Sequence, residues 1–400
     1  MSSVEIKKVE GKKALKTFID FHYDLYKGSE YDVPNLFQDE LNTLSPDKNA
    51  AFEFCEAEYY IAYKDGKPAG RIAAIINNKA NERWGRKAVR FGWIDFIDDR
   101  EVSAALLGAV EDYGRAHGMT EIVGPLGFTD MDPEGMLTFG FDQLGTMPTI
   151  YNYPYYPEHM EGMDGYVKDN DYVEYKLFVP EKVPDKYAKI AAMIEKRYDL
   201  HVKKITKRDI YKNGYGKKIF DLINMTFKDL YGYSELTDRQ IEQYINMYFS
   251  FVDLNLITLV EDHSCGNKLV GIGITIPSLS HALQKCRRGR LLPFGWWHVL
   301  HIREVSDIIV GIFHGIGLLR RYVFCHISPC QRPGGLVLMC HFRFHLYFFY
   351  VPWRSVFLVR RLSKVLSYSI CDACGAPFPD TPTGSARPRW SPSPPDFRPT

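Results

Sequence analysis

The chain reads as an α/β protein, an α+β mixed sheet built twice in tandem. Three observations predict this. Strand and helix signals alternate over residues 1–180, a second stretch repeats the plan, and the pattern stops near residue 300, where the composition changes.

The first unit can be followed element by element. Val4–Val9 has the length and alternation of a short strand. Lys12–Tyr26 follows as an amphipathic helix, because Leu15, Phe18, Ile19, His22 and Leu25 recur at spacings of three and four. Glu58–Lys64 and Ala69–Ile76 read as strands joined by Asp65-Gly66, a dipeptide suited to the positive φ of a tight hairpin turn. Val89–Ile97 is the next strand. Asp98 or Asp99 then caps a helix that turns Val102, Leu106, Ala109, Val110 and Tyr113 inward and stops at Gly118. Glu121–Gly124 begins another strand, and Tyr172–Val179 closes the unit after an irregular stretch.

The second unit runs through the same order. His201–Thr206 is a strand and Ile219–Leu230 a helix; Thr237-Asp-Arg-Gln240 has the form of a capping box. Asn255–Glu261 and Leu269–Ile276 form a strand pair around a polar turn. Lys12-Lys13 and Asp24-Leu25-Tyr26 match Lys217-Lys218 and Asp229-Leu230-Tyr231 at an offset of 205, and Gly70 matches Gly271 at an offset of 201. Several matches in the same order point to an internal duplication. The expected domains are 1–180, 181–300 as the N-terminal part of a second copy, and an atypical tail over 301–400.

Composition narrows the function. The 46% apolar and 25% charged residues are those of a globular chain. The formal charge of +1 hides an asymmetry: residues 1–300 carry 44 acids against 38 bases, and 301–400 carry 5 against 12. The acidic, well-patterned part argues against a nucleic-acid partner. An N-terminus without an apolar stretch predicts no secretory signal, and three cysteines in 300 residues suit reduced thiols, so a cytoplasmic location is expected.

The order of strands and helices resembles the GNAT N-acetyltransferase superfamily, and more narrowly a bacterial family of tandem-GNAT proteins. The resemblance is carried by Ala69-Gly-Arg-Ile-Ala-Ala-Ile-Ile-Asn77, Gly92-Trp-Ile-Asp-Phe-Ile-Asp98, Gly124-Pro-Leu-Gly-Phe128, Tyr153-Pro-Tyr-Tyr-Pro157 and Arg290-Leu-Leu-Pro-Phe-Gly-Trp296. It implies tandem acyl-CoA N-acyltransferase modules, acetyl-CoA as the donor substrate, a small-molecule amine as acceptor, and no metal. It also implies a glycine-containing loop whose backbone N–H groups, with a helix N-terminus, cradle the CoA pyrophosphate.

That loop is where this chain departs from the pattern. In the first unit the equivalent place is Ile97-Asp-Asp-Arg-Glu-Val102, which has no glycine and three acids that would repel a pyrophosphate. Near the second, the nearest match is Gln331-Arg-Pro-Gly334-Gly-Leu336, in which Pro333 removes a donor where N–H groups are needed. Gln331 and Gly334 are the cofactor-binding candidates, and weak or absent activity is expected. The alternative is a noncatalytic GNAT-like module that only binds a ligand.

The acceptor candidates come from two irregular stretches. Phe128, Asp130 and Asp132 follow a strand, where a loop can face a substrate and carboxylates suit an amine. Tyr151, Asn152 and Tyr155 lie in a tyrosine-rich turn that either lines a cleft or packs on the sheet. His22 reads as a half-buried core residue, and no residue is singled out as catalytic. No Ser-His-Asp, HExxH or Walker-type spacing is apparent. The tail holds 11 Arg against 1 Lys and 11 of the 23 prolines, a switch that suggests out-of-frame or disordered sequence. Its apolar runs, Ile308–Leu319 and Gly335–Val359, are too short or too interrupted by His and Arg to span a membrane, which needs about 20 apolar residues. Cys371-x-x-Cys374 with His341 and His345 is too sparse for a zinc site.

Overall fold

In the computed structural model the described residues are 3–172, 174, 183–250, 252–300, 308–315 and 336–338. They divide into two units. The first takes the chain up to Asp171 and, from far along the sequence, Leu283–Trp296; the second takes Tyr172–Ala282 and described residues from Trp297 onward. The return of Leu283–Trp296 to the first unit crosses the boundary expected at residue 180.

The first unit is a five-stranded sheet in the order β1-β2-β3-β4-β5. Its strands are β1 (Glu5–Lys8), β2 (Cys55–Lys64), β3 (Lys67–Asn77), β4 (Ala88–Phe96) and β5 (Glu121–Val123). The first three pairings are antiparallel and β4 with β5 is parallel. The parallel step needs a crossover, supplied by α4 (Arg100–Ala116). Asp99 caps α4 by accepting from the Glu101 and Val102 amides, which settles the choice between two aspartates. One face of α4 buries Val102, Leu106, Leu107, Val110 and Tyr113 against Ile72, Ala74, Val89 and Phe91. Gly70 is needed here, because a Cβ would meet the Leu106 side chain.

The other face of the sheet is covered by α1 (Gly11–Leu25) and α2 (Phe37–Thr43). Phe18, Ile19, Phe37 and Leu44 pack there on Tyr59, Ile61, Ala73 and Ile75. β3 is apolar and buried along nearly its whole length because helices lie on both sides. Arg71 and Asp95 are charged exceptions in these buried strands. A short α3 (Asn78–Trp84) links β3 to β4, and α5 (Tyr155–Glu161) follows the irregular stretch after β5.

The second unit begins with α6 (Asp185–Tyr198) and β6 (Leu200–Lys203), followed by α7 (Lys207–Tyr211), α8 (Tyr215–Phe227) and α9 (Asp238–Tyr248). The capping box at Thr237 and Gln240 is formed as the sequence indicated. β7 (Ile257–Asp262), β8 (Lys268–Pro277), β9 (Ile308–Gly315) and β10 (Leu336–Leu338) complete a sheet in the order β10-β9-β8-β7-β6. Its pairings are again three antiparallel and then one parallel. The last two strands come from the stretch read as an atypical tail.

One detail recurs between the sheets. In β2–β3 the register passes from Ala62↔Gly70 to Tyr63↔Pro68, so Ala69 is the extra residue. In β7–β8 it passes from Val260↔Gly271 to Glu261↔Leu269, so Val270 is the extra residue. These bulges lie at the offset of 201 that the glycines had suggested.

Gln331 and Gly334 lie outside the described residues, as does nearly all of the expected strand Tyr172–Val179. Among the described residues no helix is long and apolar enough to cross a membrane, and no group of three or more His, Cys, Asp or Glu could hold a metal ion.

Candidate functional site

The first unit holds a cavity of about 100 Å3 between α1, the segment leading into α2, the middle of β4 and the irregular stretch 125–152. Three structural features shape it. α1 presents Ile19, His22 and Tyr23; the connection to α2 presents Asp32, Val33 and Asn35, with Glu40 from α2 itself; and β3 and β4 present Arg71, Trp93, Ile94 and Asp95.

A bulge in β4 sets the geometry. Arg71 pairs with Asp95 and Ala73 with Gly92, so Trp93 and Ile94 share the space opposite Ile72. Trp93 takes a φ of +46°, in the left-handed region that a bulky residue seldom occupies. Such strain costs on the order of 1–3 kcal/mol and persists only where its surroundings enforce it. Here the indole Nε1–H donates to Glu40 at 2.8 Å, and the ring packs on Phe128 with 5.6 Å between centroids. Gly92 permits the bulge, because a Cβ there would meet the Leu126 carbonyl.

Asp95 is the hub of the polar groups. Its Oδ2 accepts from Arg71 Nε at 2.8 Å and Nη2 at 2.7 Å, and lies 3.1 Å from His22 Nδ1. Its Oδ1 accepts from the hydroxyls of Tyr26 and Tyr156, each at 3.2 Å. The Tyr156 hydroxyl also accepts the Phe96 backbone N–H at 3.1 Å, tying α5 to the end of β4. Arg71 Nη1 donates to the Phe18 carbonyl at 3.2 Å. A buried ion pair of this kind holds only when its polar atoms find partners, and here each guanidinium nitrogen and both carboxylate oxygens have one.

His22 lies between two carboxylates, with Nε2 3.4 Å from Asp32 and Nδ1 3.1 Å from Asp95. Burial pushes its pKa down, but Asp32 and Asp95 outweigh burial and raise it to about 10, so the ring is an imidazolium at neutral pH. Burial also opposes the charge on Asp95, yet Arg71 and then His22 hold its carboxyl below the usual range. Burial and the neighbouring Asp95 push the Tyr26 and Tyr156 hydroxyls well above the ordinary tyrosine value, so both are neutral donors.

The residues expected from sequence divide around this cavity. Tyr151 and Asn152 line it, whereas Phe128, Asp130, Asp132 and Tyr155 do not. Asn152 spends its amide on the backbone of Leu137, accepting at 2.6 Å and donating at 3.0 Å. Phe128 is fully buried against Phe52 and Trp93. Asp130 sits in the turn after Thr129. Asp132 accepts from the Thr129 amide and packs on Gly127, where burial raises its carboxyl to about 7. Tyr155 donates to the Phe96 carbonyl at 2.6 Å. Tyr156 belongs to the same tyrosine-rich turn, whereas His22, Asp32, Glu40, Arg71 and Asp95 were not named as a site from sequence. The available signal was the charge of Arg71 and Asp95 within apolar strands, and a histidine on an apolar helix face.

The place that the resemblance would give to a CoA pyrophosphate in the first unit is already filled. At the N-terminus of α4 the Asp99 carboxylate takes the free amides, and Lys64 pairs with Asp99 and, at 3.2 Å, with Glu101. These residues do not fit an incoming pyrophosphate. Nearby, His159 lies 2.9 Å from both Ser103 Oγ and Asp98. Ser103 is wholly buried inside α4, so this chain of three acts as a fastening for α5 and offers no accessible nucleophile.

No family model matches the chain. Protein YghO of Escherichia coli (strain K12) is 27% identical over 321 residues, covering 80% of this chain and 79% of the relative. The bacterial ceramide synthase of Caulobacter vibrioides (strain NA1000 / CB15N) is 26% identical over 299 residues, covering 74% and 75%. Among solved structures, a tandem GNAT protein from the clavulanic acid biosynthesis pathway aligns over 80% of this chain and 81% of its own, with a TM-score of 0.41 and 11% identity. A GCN5-related glucosamine N-acetyltransferase region of a fungal GH3 β-N-acetylglucosaminidase aligns over 80% and 32%, with a TM-score of 0.44 and 11% identity. In strand order and sense, both units of this chain have the mixed-sheet layout that the resemblance to tandem GNAT acetyltransferases implied.

Proposed function

We propose that the chain is an N-acyltransferase that moves an acyl group from acyl-CoA, with acetyl-CoA the donor implied by resemblance, to a small-molecule amine. The observation that carries the reading is the sheet layout, made twice: three antiparallel pairings, then a parallel one. The matched bulges at Ala69 and Val270 favour an origin by internal duplication. The relative described as a ceramide synthase supports amide formation, since a ceramide is the amide of a long-chain amino alcohol. In the reaction the neutral amine nitrogen attacks the thioester carbonyl, the C–N bond forms, the C–S bond breaks and CoA leaves as its thiol. One net proton, the one that the ammonium gives up, passes to solvent.

A noncatalytic reading draws on one specific observation, the filled N-terminus of α4 in the first unit. Two measurements on the full chain separate the readings. Calorimetry with acetyl-CoA, followed by an assay of amine-dependent thiol release, supports the enzyme if binding saturates and thiol appears. Saturable binding of amines, with neither acyl-CoA binding nor thiol release, supports the binding module and sinks the enzyme.

A further inference from the structure

We infer that the cavity beside α1 receives the ammonium head of a primary amine on an apolar skeleton and rejects skeletons that carry a carboxylate. This deepens the acyltransferase reading, on which its link to catalysis rests, while the binding itself needs no acyl donor.

Charge and free hydrogen-bonding capacity decide what the cavity accepts. Among the described residues, two cationic side chains, His22 and Arg71, and three carboxylates, Asp32, Glu40 and Asp95, line the cavity, leaving one negative charge in excess. Both cations are already paired. Both ring nitrogens of His22 face a carboxylate, and all three nitrogens of the Arg71 guanidinium are engaged. Asp95 is spent as well, with two partners on each oxygen.

Asp32 and Glu40 are different. A carboxylate oxygen can accept two hydrogen bonds. Glu40 accepts one on each oxygen, from Asn35 at 3.1 Å and from Trp93. Among the described residues, the Asp32 carboxylate has the 3.4 Å approach of His22 alone. Both residues are about nine-tenths buried, so the charge of a partner is felt more strongly than in water. An ammonium brings three donors and a positive charge, and meets unused acceptors and a net negative field. A carboxylate meets two cations that already face carboxylates, and the net negative field repels it.

The remaining walls, Ile19, Val33, Ile94, Pro125, Met136 and Ile150, suit methylene groups. The volume of about 100 Å3 takes a head group and the first carbons, leaving the rest of a long chain outside.

The test titrates the full chain at neutral pH, without any acyl donor, with n-hexylamine, n-hexanol and hexanoate. Hexylamine is expected to saturate at least about tenfold more tightly than hexanol, the usual margin for a hydrogen bond to a charged group. Hexanoate is expected not to bind. Asp32→Asn and Glu40→Gln each should weaken hexylamine by about tenfold while leaving hexanol unchanged. Asp112→Asn, on the exposed side of α4, should change neither. Equal binding of amine and alcohol, preference for hexanoate, or no saturation by hexylamine overturns the inference, and the wild-type series decides even if a variant does not fold. Amine binding without thiol release keeps the site and sinks the enzyme. Thiol release that ignores both substitutions does the reverse.

Discussion

Gln284 donates through Nε2 to the backbone carbonyl of Asp32 at 3.0 Å, across 252 residues of sequence. The same amide also donates to the Glu30 carbonyl at 3.0 Å, so one side chain pins the segment that carries Asp32 into the cavity. Arg288 and Arg290 add a second fastening on α1 by pairing with Asp20, and Arg288 also pairs with Asp24. The stretch Leu283–Trp296 is therefore a brace for the first unit's site. Gln284→Ala is expected to weaken amine binding several-fold and to speed amide exchange over residues 30–33, with little change in the unfolding midpoint. Hydrogen exchange checks it, and unchanged protection there would remove the bracing role.

Gly289 makes the brace possible. It has a φ of +62°, and a Cβ would meet the Asn35 carbonyl, the Tyr23 hydroxyl and the Phe37 amide. Two of those atoms are backbone, so nothing flexible can yield. Gly289→Ala combines strained backbone with a backbone clash and is expected to cost about 2–4 kcal/mol. Denaturant unfolding would read this as a lower midpoint, and a midpoint equal to wild type would count against the packing described.

The Arg71–Asp95 pair gives a sharper energetic test. Removing one partner of a buried ion pair leaves an uncompensated charge, at a cost of about 3–5 kcal/mol, whereas replacing both with apolar groups is far milder. Arg71→Met and Asp95→Leu should each be severe. The double variant should be less destabilised than the sum of the two, by an interaction energy of about 1–3 kcal/mol. Additive losses would mean that the pair is not the unit its geometry indicates.

Much of the scaffold was legible in the sequence, and the site was not. Periodicity gave α1, the β2–β3 hairpin and α4 to within a few residues, because burial of one face dictates residue type along the whole element. The Gly70 and Gly271 match reported a shared bulge, since each glycine is paired directly beside the register shift of its hairpin. The cavity depended on His22, Asp32, Arg71 and Asp95, which are up to 73 residues apart and share no spacing rule. The two tyrosine-rich candidates that do line it, Tyr151 and Asn152, belong to an irregular stretch whose course no periodicity encodes. Phe128 was singled out for its place in a loop after a strand, and position alone does not distinguish a side chain that faces a ligand from one that is buried in the core, as Phe128 is. The left-handed Trp93 left no trace in the sequence, because it is enforced by Glu40 and Phe128 from other elements.

The titration of His22 sets a pH dependence whose sign can be worked out. Its folded pKa is raised from 6.5 to about 10, so its contribution to stability is fully present below 6.5 and is lost as pH rises through 10. Asp95 is lowered from 3.8, so its contribution is present above that value and is lost as pH falls below it. Urea midpoints should therefore fall on both sides, acid below 3.8 and alkaline toward 10. His22→Gln keeps a polar group beside Asp32 and Asp95 without a proton to lose, so it should be less stable at neutral pH and should flatten the alkaline limb. An alkaline limb unchanged in this variant would assign the loss to another group.

At the N-terminus of α4, Asp99 does two things that can be separated. It caps the helix, and with Glu101 and Lys64 it fills the position that the resemblance to the GNAT superfamily would give to a pyrophosphate. Asp99→Ala removes the cap and should cost about 1 kcal/mol. Asp99→Ser keeps a capping oxygen and removes the charge, so its stability should stay near wild type. Neither should create a CoA site in the first unit, because Glu101 remains and no glycine opens the Ile97–Val102 stretch for a close backbone approach. Calorimetry with CoA on Asp99→Ser checks this directly. If affinity rises about tenfold or more over wild type, then the aspartate alone was shutting the loop, and the first unit would have to be counted as a donor site held closed by a single carboxylate.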